Sequence, residues 1–346
     1  MVGFSIVVCT YNGAKKLNDL FRYLLNLKIA GFELEVLIID NNSSDNTFEL
    51  ASFIASTFHQ LSIRVLKEKK QGKVNALITG FDNAQYEYLV ICDDDNWLSD
   101  DYLLIAFEQL SKNATFGILG GMGIPHEELI LPEWFHLHEN AWAVGMQDKF
   151  DKQIDNPFPS VWGAGMVIRK STWVLILKNG FVSFLTGKTY DNVSMAGEDT
   201  ELCLLVKSMG FDIHFDENLK FIHAIDQYRL TWNYLLQLKI GFARSQVYFD
   251  IYKEYFNNNL DNVELFKKYI INKMVFLARS LVIGASSLDF YKSFYIAFFE
   301  NRIDYQYGLE KRKQFYSLKE LFYIFFNYKR IYAVFSHFNF LAFDEQ

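Results

Sequence analysis

Three carboxylates stand in a row at Asp93, Asp94 and Asp95, directly after the apolar run Tyr88–Cys92. Side chains alternate along an extended chain, so a strand continuing through them would send Asp93 and Asp95 to one face and Asp94 to the other. Two carboxylates on one face repel each other unless a cation lies beside them. A hard divalent ion answers that need and also holds phosphate. The competing reading, an acidic turn capping the next helix, suits Asp100 and Asp101 better. A second acidic pair, Glu198-Asp199, opens a helical pattern that runs through Leu202, Leu204, Leu205 and Val206 to Gly210. Acidic residues cap a first turn, and a carboxylate at the mouth of a cleft also takes a proton from a hydroxyl; Asp199 is the expected base and Glu198 its support. Asp212–Phe215 reads as one strand-like piece and, after a short turn, Phe221–Ala224 as another; there the His223 imidazole either completes the ion site or sits satisfied in the core. Arg229, six residues on, could face a diphosphate.

The elements that must position these groups alternate. Phe4–Cys9 reads as a buried strand broken by Thr10-Tyr11-Asn12-Gly13, and residues 15–29 carry leucines at helical spacing. Strands follow at Leu34–Ile39, Ile63–Leu66 and Tyr88–Cys92, with helices over about 47–58 and 73–83 between them. This βαβ rhythm predicts an open α/β sheet, and such sheets bind ligands outside the carboxyl ends of their strands. Thr10, Asp40 and the Asp93–Asp95 trio all fall there. Neither a dinucleotide glycine fingerprint nor a P-loop is present. Residues 117–165 show weak periodicity and hold Trp134, Trp142, Trp162, His126, His136 and His138; they read as an acceptor-binding loop or as an ordered insertion. Gly163-Ala164-Gly165 reads as a tight turn entering a strand.

Six segments, taken in order, carry a likeness: Ser5–Gly13, Ile38–Thr47, Gly72–Leu77, Ile91–Asn96, Gly197–Leu202 and His223. Across about 1–230 the chain resembles the family-2 glycosyltransferases of bacterial polysaccharide and glycan biosynthesis. The resemblance implies a GT-A fold, a Rossmann-like, mostly parallel central sheet flanked by helices, and an inverting hexosyl transfer from a nucleoside-diphosphate sugar, UDP first. It implies that the Thr10-Tyr11-Asn12 turn and Asp40 bind the nucleotide, that Asp93 faces the ribose with Asp94 beside it, and that Asp95 and His223 hold Mn2+ or Mg2+. It assigns Asp199 as base, with Lys73 and Arg229 near the leaving diphosphate. Ile78 departs from the family, which commonly has a polar residue there.

The 346 residues, 51% apolar and 22% charged, suit one large core with an appendage and exclude disorder. The expected division is a catalytic domain over 1–230, with a nucleotide half at 1–115 and an acceptor half at 116–230, and a helical region over 231–346. A net charge of −7 argues against a nucleic-acid partner. Three cysteines without paired spacing argue for a reducing compartment, and the N-terminus reads as a strand rather than a signal peptide. Residues 301–346 hold 14 aromatics, 8 Phe and 6 Tyr, beside Lys311-Arg312-Lys313 and Lys329-Arg330. That composition suits a helix packed on the main domain or on a second copy of the chain, or one lying on an anionic membrane. A membrane-facing tail, 265–346 with the short apolar Met274–Leu288, would place the enzyme at the cytoplasmic face, acting on a lipid-linked saccharide; a free glycan is the alternative acceptor. Two rival readings are a nucleotidyltransferase acting on a sugar phosphate and a non-catalytic nucleotide- or carbohydrate-binding protein of the same fold.

Overall fold

Strand β1 (Gly3–Thr10) buries Phe4, Ile6, Val7 and Val8 completely. A strand covered on both faces reads as a continuous apolar run, and burying side chains of this size contributes about 1.5–3 kcal/mol each. The same holds for β2 (Glu33–Asp40) and β4 (Tyr88–Asp93). In the computed structural model the described residues are 2–147, 159–178 and 196–239, with positions 183, 185, 189–190, 193–194, 241–242, 245 and 249. Helix α1 (Ala14–Leu25) turns Leu17, Leu20, Phe21 and Leu24 onto the sheet, as their spacing predicts. Helices α2 (Thr47–Thr57) and α3 (Lys73–Asn83) connect β2, β3 (Ser62–Lys67) and β4.

The remaining elements of the large sheet are β5 (Asn96–Leu98), β6 (Phe116–Pro125), β7 (Val167–Arg169) and β10 (Asp212–His223). Helix α4 (Tyr102–Lys112) lies between β5 and β6 in the chain, the short α5 (Phe135–His138) follows β6, α6 (Lys170–Lys178) follows β7, and α7 (Glu198–Ser208) precedes β10. The sheet order is β3-β2-β1-β4-β7-β6-β10-β5. Neighbours are parallel except where β7 meets β4 and β6 and where β5 meets β10.

Two strands depart from the sequence reading. The weakly periodic stretch after residue 116 contains the ten-residue β6, whose glycines hide the pattern. They are needed there: a Cβ on Gly123 would stand 1.9 Å from the Ala143 carbonyl oxygen. Strand β10 is continuous from Asp212 to His223, with an irregularity between Phe215 and Lys220 where two separate pieces were expected.

The chain divides into two compact units, and the large sheet belongs to the one that includes Glu198–Leu230. The other unit contains the hairpin β8 (Thr189–Tyr190) and β9 (Val193–Ser194) and a helical stretch at 232–239. Among the described residues no helix is long and apolar enough to cross a membrane. The aromatic tail 301–346, the segments 265–346 and Met274–Leu288, and most of the helical region expected over 231–346 lie outside the described residues.

Candidate active site

Parallel register sets the site. Thr10 pairs with Asp40 across β1 and β2, and Cys9 pairs with Asp93 across β1 and β4, so the carboxyl ends of three strands come level. Asp40 is buried and accepts a hydrogen bond from the Ser43 backbone N–H at 3.3 Å. Tyr11 is exposed at the rim. Asn12 uses its carboxamide oxygen on the Ser44 N–H at 2.8 Å and its own N–H on the Ser43 hydroxyl at 2.9 Å. Its visible work is to pin the loop after β2 beside the turn after β1.

The Asp trio does not continue as a strand. Strand β4 ends at Asp93, Asp94 and Asp95 form a turn, and β5 begins at Asn96. The expected alternation fails for that reason: Asp93 turns to Lys73, while Asp94 and Asp95 converge on Lys16. Asp93 meets the Lys73 ammonium at 2.8 Å. Asp94 accepts from the Thr10 hydroxyl at 2.7 Å and from the Lys16 ammonium at 3.2 Å. Asp95 meets Lys16 at 3.0 Å and Arg229 at 3.4 Å through Oδ2, while its Oδ1 lies 3.7 Å from His223 Nε2. Burial works against the Asp95 charge, but His223, Lys16 and Arg229 together hold its carboxyl below the usual range. For Asp94 burial wins over Lys16 and the carboxyl is pushed up.

His223 arrives beside Asp95 because β10 pairs antiparallel with β5, His223 opposite Asn96, and because the Ala224 N–H donates to the Asp95 carbonyl at 2.8 Å. Its Nδ1 lies 2.5 Å from the Trp142 carbonyl oxygen. A carbonyl only accepts, so Nδ1 carries the proton and Nε2 presents a lone pair toward Asp95. Burial pushes the His223 pKa below its usual value, which keeps the ring neutral. A metal-binding histidine typically has this arrangement, its tautomer fixed by a second partner. Among the described residues no group of three His, Cys, Asp or Glu side chains is placed to hold a metal. Asp95 Oδ1 and His223 Nε2, 3.7 Å apart, could serve as two ligands of a divalent ion, with further positions left for phosphate oxygens.

On the other side of the turn, Lys73 opens α3 and is held by Asp93 rather than beside Arg229. Burial disfavours its ammonium, but Asp93 and Glu198 outweigh burial and raise its pKa. Desolvation pushes Glu198 up, opposed by Lys73 and reinforced by Asp199. Asp199 accepts the Gly163 N–H at 3.0 Å and the Thr200 N–H at 2.7 Å. The Gly163–Gly165 turn thus supports the candidate base. It is tied to β4 through the Gly165 N–H on the Ile91 carbonyl at 3.0 Å.

Sequence reasoning did not assign Lys16 to the site; the structure puts it among the carboxylates. The signal was its position in the first turn of α1, directly after the Thr10–Gly13 break. Gly13 allows that approach: a Cβ there would stand 2.1 Å from the Thr10 hydroxyl and 2.3 Å from Asp94 Oδ2. Gly13→Ala is expected to cost about 1–3 kcal/mol, read as a lower urea midpoint at unchanged slope. Ile78 is half-buried, and its neighbour Thr79 supplies the polar contact of that turn by donating to Glu68 at 2.5 Å.

Residues 5–173 match the family model described as glycosyl transferase family 2. The chain carries a glycosyltransferase family 2 domain. Over 119 residues it is 33% identical to a poly-beta-1,6-N-acetyl-D-glucosamine synthase of Staphylococcus epidermidis, a match covering 34% of this chain and 28% of that protein. Over 91 residues it is 34% identical to a dolichol-phosphate mannosyltransferase of Pyrococcus furiosus, covering 26% and 25%. The chain thus spans about a quarter of the length of these curated relatives. Among solved structures, the mannosyltransferase PcManGT from Pyrobaculum calidifontis, in complex with GDP-Man and Mn2+, superposes with a TM-score of 0.54 at 17% identity, covering 90% of this chain and 87% of that one. The fold of the family-2 domain is the GT-A fold that the resemblance implies.

Proposed function

We propose that this family-2 domain transfers a sugar from a nucleoside-diphosphate sugar to a hydroxyl of a glycan or lipid-linked saccharide, with inversion at the anomeric carbon. The carrying observation is the pairing of Asp95 Oδ1 with a neutral His223 Nε2, 3.7 Å apart and beside Arg229, at the carboxyl end of the sheet. Asp40, Thr10 and Tyr11 line the nucleotide end, and Asp93, steadied by Lys73, faces the ribose. Asp95 and His223 would hold Mn2+ or Mg2+, which when bound neutralises charge on the departing diphosphate. Arg229 adds a fixed positive charge on the same side. Asp199 takes the proton of the acceptor hydroxyl as that oxygen attacks the face opposite the diphosphate. One displacement inverts the configuration, so no covalent sugar intermediate is required. Similarity to a poly-beta-1,6-N-acetyl-D-glucosamine synthase and a dolichol-phosphate mannosyltransferase supports the acceptor class, and the GDP-Man bound by PcManGT keeps GDP beside UDP as a candidate donor nucleotide.

The test is a panel of nucleotide sugars with release of the nucleoside diphosphate as readout. Metal-dependent release of UDP or GDP supports the reading. Release of pyrophosphate from a nucleoside triphosphate and a sugar phosphate would replace it with a nucleotidyltransferase. Binding without turnover over a broad acceptor panel would point to a non-catalytic protein. Salt-sensitive binding of the full chain to anionic vesicles would support the cytoplasmic membrane face as its location, and its failure to bind would reject that placement.

A further inference from the structure

Lys16 extends from the first turn of α1, and its ammonium reaches carboxylates on two other segments: Asp94 at 3.2 Å, Asp95 at 3.0 Å and Asp226 at 3.7 Å. Arg229 approaches the same Asp95 oxygen at 3.4 Å and Asp226 at 3.9 Å. The two oxygens of Asp95 are thereby divided. Oδ2 belongs to the chain's own cations, and Oδ1 faces His223. Three carboxylates against two cations leave the cluster with one negative charge. A divalent ion on Asp95 and His223 would turn it positive, and a diphosphate would restore the balance.

We propose that Lys16 is a built-in counter-ion of the donor site: it gives the site an affinity for diphosphate that needs no metal, and it weakens the binding of divalent metal by itself. The proposal rests on the glycosyltransferase reading above and adds a specificity-determining residue to it. An ammonium is charged at neutral pH, and here that of Lys16 stands against carboxylates at 3.0 and 3.2 Å. Its side chain is about a quarter exposed, so solvent screens the effect without abolishing it.

Two consequences of opposite sign follow. Without Lys16, Asp94 and Asp95 face an incoming metal ion with one competing cation fewer, so the metal alone binds more tightly. A diphosphate arriving without metal meets one cation fewer and binds more weakly. A residue that merely supported the fold would weaken both.

The experiment is calorimetry on the full chain with Mn2+ alone, and with UDP and GDP in excess EDTA, for wild type, Lys16→Met and Lys16→Arg, with thermal unfolding as the check on folding. Lys16→Met is expected to bind Mn2+ about tenfold more tightly and the preferred nucleotide about tenfold more weakly in EDTA, with Lys16→Arg close to wild type. Lys16→Gln takes the place of Lys16→Met if the latter unfolds. Affinities that move in the same direction, or do not move, overturn the role of Lys16 and leave the glycosyltransferase reading standing. Wild type that binds neither nucleotide, with or without Mn2+, overturns that reading and this inference with it.

Discussion

Asp199→Asn is expected to lower turnover by about 10²–10⁴ while leaving nucleotide binding unchanged, because a general base contributes on that scale and acts only on the acceptor hydroxyl. The substitution is nearly isosteric. The Asn oxygen still accepts the Gly163 N–H that Asp199 accepts at 3.0 Å, so the turn it supports is kept. What is lost is one bond to the Thr200 N–H, about 0.5–1.5 kcal/mol of stability, which unfolding measurements separate from the rate effect. The neighbouring Glu198→Gln supplies the control. Desolvation pushes Glu198 up, opposed by Lys73 and reinforced by Asp199 and Asp93, so it interacts both with the candidate base and with the Lys73–Asp93 pair. Its loss is therefore expected to appear in donor affinity as well as in turnover. A large turnover defect in Glu198→Gln with little in Asp199→Asn would exchange the two roles.

How much of this was legible in the sequence depends on how local the signal was. Strands β1, β2, β3 and β4 and the helices between them were readable within one or two residues at most ends, because β1, β2 and β4 bury apolar runs, β3 half-buries Ile63, Val65 and Leu66, and the helices carry apolar stripes. Thr10 and Asp40, the positions proposed to face the nucleotide, were readable as strand ends. Strand β6 was not, because glycines that admit neighbouring backbone carry no hydrophobic pattern. The orientation of the Asp trio was misread because it depends on where β4 stops, and three identical residues carry no mark of a turn. The division of labour among the cations was invisible for a different reason. Lys73 and Lys16 lie 57 positions apart by their numbers, and only the register of β1 against β4 decides which carboxylate each one meets. The family segments identified the candidate site; the partners of each side chain needed the fold.

That division of partners makes the second large effect specific. Asp95→Ala is expected to abolish the metal-dependent part of nucleotide binding and to lower turnover by about 10²–10³, the scale on which a single group stabilising developing charge contributes. The substitution removes the Oδ1 that faces His223 and leaves Lys16 and Arg229 without their shared carboxylate, so metal-free nucleotide affinity is expected to hold or rise. His223→Ala removes the other donor and should show the same loss of metal dependence without the gain, because Lys16 and Arg229 keep Asp95. If both side chains serve one ion, the double variant is no worse in metal-dependent binding than Asp95→Ala alone, and the two effects are strongly non-additive. Additive losses would mean that the imidazole and the carboxylate act separately. His223 would then be a buried structural residue held by Trp142, and the metal site would have to be sought elsewhere in the chain.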